Sequence, residues 1–174
     1  MPRTIALLAA FGLLAAPASS SIRVGGAVSR DSLVQTALVR QINVFRAAHG
    51  LSRLRVSPAL NTAAAVHSTE MARVGYFSHN SANGRSFSQR VASYYRHRGF
   101  RTWTAGENLV YGSPDMAAAQ ALRLWLGSPP HRANLLDPSW RELGLSAVHS
   151  TGAPGVYHGM PATIVTADFG ARSR

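Results

Sequence analysis

The chain has no cysteine, no lysine and only seven acidic residues among its 174. Without cysteine there is neither a disulfide framework nor thiolate chemistry, so stability has to come from packing. Every basic residue is arginine, and the 18 arginines outweigh the acids to give a formal charge of +11. Such an excess favours anionic envelope polymers, phospholipid surfaces or nucleic acid. The arginines are nevertheless scattered singly, and only the segment from Tyr95 to Arg101 is locally dense. No motif for specific nucleic-acid recognition accompanies them.

Long apolar runs are also scarce. The one near the start, Ile5 to Ala16, follows Arg3 and runs into Ala16-Pro17-Ala18, which together read as an export signal over residues 1–18 with cleavage after Ala18. At about 12 residues the run is short for a membrane span, which needs roughly 20. The expected mature protein has 156 residues and a charge of +10, no transmembrane segment, and a secreted or periplasmic location. That length suits one domain. Residues 19–30 read as a linker and 31–174 as the domain.

What is present is a run of helical patterns followed by strand patterns. Val34, Leu38, Ile42 and Phe45 recur at helical spacing, with Asp31 or Ser32 to cap the helix and Gly50 to stop it. Ser57-Pro58 opens a second helix through about Val74, with Leu60, Ala64, His67 and Met71 on its inner stripe. A shorter third helix contains Phe87, Val91 and Tyr94, and Ser113-Pro114 opens a fourth that ends near Gly127 with Trp125 inside. Residues 128–136 read as a turn plus a short helix. Leu143 to Val148, Gly155 to His158 and Ala162 to Phe169 read as strands, whereas Gly106 to Leu109 reads as loop. Helices first and strands last argue for an α+β fold with an antiparallel sheet.

Four stretches in order carry a family resemblance: Asn43-Val44-Phe45-Arg46, Phe77-Ser78-His79, Gly106-Glu107-Asn108-Leu109, and Trp125 to Leu136 with its His131-Arg132-Ala133-Asn134 core. Read together they resemble a bacterial domain of the CAP superfamily, the cysteine-rich secretory, antigen-five and pathogenesis-related group, also called SCP-like extracellular proteins. The resemblance spans roughly Leu33 to Gly170. It implies an α-β-α sandwich of about four helices on a small antiparallel sheet, with a central cleft holding two histidines and, in many eukaryotic members, two acids. His79 corresponds to the first histidine, Glu107 to the first acid and His131 to the second histidine, and the three are expected to converge near mutual hydrogen-bond reach. The second acid is replaced by Ser128.

Two imidazoles and a carboxylate are adequate ligands for Zn2+ or another divalent cation, with a position left open. Equally, Glu107 can hold one imidazole in a chosen tautomer with no metal present. The first reading of function is therefore a secreted, non-catalytic domain whose His79, Glu107 and His131 bind a divalent metal, a lipid, a small ligand or another envelope component. The alternative is a metal-assisted, peptidase-like hydrolase in which Glu107 is the catalytic base. No activated serine, cysteine or threonine can be built, because Ser78 merely adjoins His79 in sequence. Of the other titratable groups, His67 reads as a packed core histidine and His49 as a helix-end partner, while Glu70, Asp168, His149 and His158 have no assigned role.

Overall fold

The computed structural model describes residues 26–174 apart from position 98. The expected signal, residues 1–18, lies outside the described residues. Ten elements follow in order: β1 (Val28–Arg30), α1 (Ser32–Ala48), β2 (Arg55–Val56), α2 (Pro58–Val74), α3 (Phe87–Tyr94), β3 (Thr102–Gly112), α4 (Ala118–Gly127), α5 (Pro129–Leu136), β4 (Glu142–Ala153) and β5 (Met160–Ser173), with a 3-10 turn at Gly155–Tyr157. The sheet runs β1-β4-β5-β3, and β2 adds a short parallel pairing to the start of β4. Helix α2 lies on one face with α3 beside it, and α1, α4 and α5 lie on the other. The result is the expected α-β-α sandwich, with five helices.

Local chemistry sets the helix limits. Asp31 accepts from the Val34 N–H at 3.0 Å to cap α1. Ser57 and Pro58 start α2, which Gly75 ends in the left-handed conformation at φ 87°. Ser86 and Gln89 form a reciprocal capping box on α3. In the strands, alternation decides the faces. Leu143, Leu145 and Ala147 of β4 and Val165, Ala167 and Phe169 of β5 join Leu38, Ile42 and Trp125 under α1 and α4. Val148 and Ile164 instead join Met71 and Ala72 under α2.

Two residues of the first recognised stretch are structural ties. Asn43 exchanges hydrogen bonds with the backbone of Leu54, at 3.1 and 2.7 Å. Arg46 is fully buried and donates to the carbonyls of Ser52, Leu135 and Asp137 at 2.9–3.1 Å, clamping the end of α1 to the end of α5.

Four sequence expectations need correction. Val28–Arg30, expected as linker, is a strand paired antiparallel with Ser150 to Val148, so the fold begins before Asp31. Gly106 to Leu109 is not loop but the middle of the eleven-residue β3, paired throughout with β5. The fourth helix begins at Ala118, because the Ser113 hydroxyl donates to the Pro161 carbonyl at 2.7 Å instead of capping a helix. Gly155 to His158 turns between β4 and β5, with His158 at φ 57°.

Helix α2 can lie close on β4 only because position 144 has no side chain: a Cβ there would fall 2.1 Å from the Leu60 carbonyl carbon and 2.4 Å from the Asn61 nitrogen. Both are backbone atoms of a packed helix, so they cannot rotate away. Gly144→Ala is expected to lower stability by roughly 1–3 kcal/mol, the range for overpacking a close contact. Chemical denaturation of the purified variant measures it; an unchanged midpoint would show that α2 can shift freely.

Candidate functional site

Glu107 sits on the edge strand β3, on the sheet face that carries α2, and is 5% exposed. Both of its carboxylate oxygens are taken. One is 2.8 Å from His79 Nδ1, and the other receives the Arg90 guanidinium. Arg90 projects inward from α3 and is also buried; its other terminal nitrogen donates to the His79 carbonyl at 2.9 Å and to the Ser81 hydroxyl at 3.3 Å. A single arginine therefore holds both the carboxylate and the loop carrying the histidine. His79 lies in that loop after α2 with about half its side chain exposed, so bonding at Nδ1 leaves Nε2 free toward solvent.

His131 reaches the site from the other side of the β3 edge. Helix α5 is tied along that edge: Asn108 donates to the His131 carbonyl at 3.0 Å, while Asn134 donates to the Glu107 carbonyl at 3.2 Å and to Asn108 Oδ1 at 2.9 Å. The His131 ring is partly buried and shares no hydrogen bond with His79 or Glu107. Burial first and the influence of His79 second push its pKa below the usual imidazole value. Among the described residues, no three His, Asp or Glu side chains are placed to hold one metal ion. With Glu107 committed to Arg90 and His79, the donor set comes down to two imidazoles, fewer than the three protein ligands of a catalytic zinc. The trio does not fit a three-ligand centre.

Beneath the site lies a buried polar layer. His67 is fully buried, with Nε2 2.8 Å from the Ser78 carbonyl and Nδ1 3.4 Å from the Tyr76 hydroxyl, so it packs as its helical register implies. Burial lowers its pKa; Glu107 opposes that shift and Arg90 adds to it. Ser78 is no partner for His79: its hydroxyl accepts from the Asn80 N–H at 3.2 Å. Asp168 pairs with Glu107 across β5 and β3 and is fully buried, and neither of its oxygens meets a donor. Burial pushes its carboxyl well above the usual range, the Glu107 charge adds to that, and Arg90 opposes it. Once it carries a proton, Asp168 can donate to Glu107.

Arg90 had no place in the sequence reading and Asp168 was left unassigned. Each carried a signal. Arg90 is three residues after Phe87, on the inward face of a helix, and Asp168 is the lone charge in an apolar run.

A three-layer sandwich with a histidine-carboxylate pair on the open edge of its sheet defines a CAP-type domain. Residues 39–169 match the CAP model, the cysteine-rich secretory protein family, and the chain belongs to that family although it contains no cysteine. It is 29% identical over 124 residues to the Bacillus subtilis protein YkwD, covering 71% of this chain and 46% of that one. The chain thus spans less than half the length of this curated relative. An extracellular protein from Bacillus anthracis containing an SCP domain superposes with a TM-score of 0.63 at 26% identity, covering 83% of this chain and 41% of that one. An outer surface protein from Borrelia burgdorferi shares the fold, with a TM-score of 0.69 at 20% identity over 85% and 99% of the two chains.

Two substitutions test the buried layer. His67→Ala is expected to cost roughly 1–3 kcal/mol through lost packing and an unpaired carbonyl. Because the folded-state pKa of His67 is lowered, its contribution is present above the unfolded value of about 6.5 and is lost as pH falls below it. The variant's deficit is therefore expected to shrink in acid. Asp168 has the opposite sign: its folded pKa is raised, so its contribution is present below about pH 3.9 and is lost as pH rises. Asp168→Asn is expected to be more stable than the parent at pH 7, with the gain fading toward pH 4. Denaturation curves at several pH values check both.

Proposed function

We propose that this is a secreted or periplasmic, non-catalytic binding domain whose edge cleft presents His79 and His131 to a small ligand, a lipid or another envelope component. The observation that carries the reading is the double engagement of Glu107. A carboxylate with His79 on one oxygen and Arg90 on the other fixes an imidazole in place; it is not free to take a proton from water. The same geometry favours an orienting role for Glu107 over that of a hydrolase's base. Ser78 makes no side-chain bond to His79; its hydroxyl accepts from the Asn80 N–H within its own loop.

Location outside the cytoplasm is supported by the leader-like residues 1–18 and by relatives described as an extracellular protein and an outer surface protein. Among the described residues no helix is long and apolar enough to cross a membrane. One imidazole is held fixed at the β3 edge, and the neighbouring α5 carries a partly buried one.

Zinc serves as a probe of that pair of imidazoles. Titrated into untagged protein at pH 7.5, it is expected to bind weakly and raise the melting temperature, because a ligand that prefers the native state stabilises it. The rise should vanish at pH 5.5, where protons compete for imidazoles with a reference pKa of about 6.5. His79→Ala and His131→Ala should each abolish it, and Glu107→Gln should weaken it less, as expected of a group that orients a ligand. Retention of the shift in both histidine variants would place the zinc elsewhere and remove the cleft from the reading. Peptide-library turnover that depends on Glu107 would restore the hydrolase.

A further inference from the structure

At the far end of the sheet from the β4–β5 turn, five arginines from three segments gather, two of them against one carboxylate. Arg55 of β2 and Arg172 of β5 each lie 3.6 Å from Glu142. Arg172 also donates to the Arg96 carbonyl at 3.2 Å. The Arg101 N–H donates to the Ser173 carbonyl at 2.8 Å, and pairing of Thr102 with Ser173 brings the next residues outward, Arg101 and Arg174, to the same edge. Glu142 is the only acid that any of the five meets among the described residues, and it also accepts the Tyr95 hydroxyl at 2.5 Å.

Arg96, Arg101 and Arg174 thus meet no acidic side chain among the described residues, and Arg55 and Arg172 share a single one. Arg96, Arg101 and Arg174 are exposed and Arg55 is 78% exposed in its side chain, so these guanidiniums are open to a partner. Arg172 is held in place, with its guanidinium 3.9 Å from the Tyr95 ring centroid and 4.5 Å from that of Phe100. Beside Arg96 an open groove of about 320 Å³ is lined by Ala92, Ser93 and His97. Of the remaining acids outside the site, Asp31 caps α1, Glu70 accepts the Tyr76 hydroxyl and Asp137 accepts from the Ser139 N–H, while the exposed Asp115 lies beyond the Gly112 end of β3, away from this cluster.

We propose that this face binds a linear polymer bearing repeated phosphate groups. Guanidinium is the cation best matched to phosphate, through two parallel N–H bonds, and several spaced guanidiniums suit a chain of phosphates more than one isolated anion. A phospholipid surface fits less well. Peripheral insertion needs apolar side chains that stand clear of the surface, and here Phe100 lies beneath the Arg172 guanidinium, with that of Arg174 5.9 Å from its centroid.

The test uses the full chain and long-chain inorganic polyphosphate, followed by fluorescence anisotropy over a salt series. The parent should bind with an affinity that falls steeply with salt. Replacing Arg96, Arg101 and Arg174 together with alanine should lower affinity at least about tenfold and flatten the log–log salt slope by about 2, near the 0.7 per charge of flexible single strands. A control removes the same charge from exposed positions outside the cluster, Arg40, Arg73 and Arg123, and should stay within about twofold of the parent. Lysine at the first three positions should restore the slope. Equal loss in the two alanine triples would show that net charge alone is at work and overturn the proposal. Binding to phosphatidylglycerol vesicles without binding to polyphosphate would overturn it in favour of a membrane surface.

Discussion

Arg90 and Glu107 are both withdrawn from water, and each is tolerable there only because of the other. Separating charges from water costs several kcal/mol per ion, and a lost partner leaves that cost uncompensated. The pair does more than neutralise itself. Arg90 reaches from α3 to the loop after α2, while Glu107 reaches from β3 to His79, so one ion pair fastens the helix, the loop and the edge strand at a single point. The position of the exposed imidazole follows from that contact.

The polar layer under the site explains why the carboxylate is better read as an orienting group than as a ligand or a base. His67 and Asp168 are fully buried, and both are driven toward their neutral forms by loss of water, with Glu107 influencing each. Three ionised groups could not share so small a dry volume. With His67 and Asp168 neutral, Glu107 and Arg90 remain as the charge pair, and the negative charge of Glu107 is spent on Arg90 and His79. An imidazole held in this manner has a defined tautomer and a free Nε2, a suitable contact for a ligand arriving at the edge of β3.

The same economy of acids shapes the outer surface. Of seven acidic residues, Glu107 and Asp168 are buried in the site layer, Glu70 bonds the Tyr76 hydroxyl and Glu142 is shared between two arginines and Tyr95. Acids that elsewhere would offset surface arginines are used inside or at ties between elements. Among the described residues most arginines other than Arg46 and Arg90 therefore face outward, and several gather where the ends of β3 and β5 meet the segment after α3.

The helices were legible because their evidence is local: Asp31, Ser57-Pro58 and Gly75 act within a turn of themselves, and a repeat of three to four residues shows which face is buried. The ordered stretches from Asn43 to Asn134 were enough to indicate the family and to name His79, Glu107 and His131. Other features depend on neighbours distant in the chain. Gly106-Glu107-Asn108-Leu109 has no strand alternation of its own and is extended because β5 pairs with it; Val28–Arg30 is a strand because β4 offers an edge. That Glu107 orients an imidazole is decided by Arg90, 17 residues away and on another element. Likewise Asp168 is neutralised by burial and by a charge 61 positions earlier, across a strand pair. Capping and periodicity act within a few residues and can be read along the chain, whereas charge state and hydrogen-bond partnership depend on who is near in space, and only the packed fold decides that.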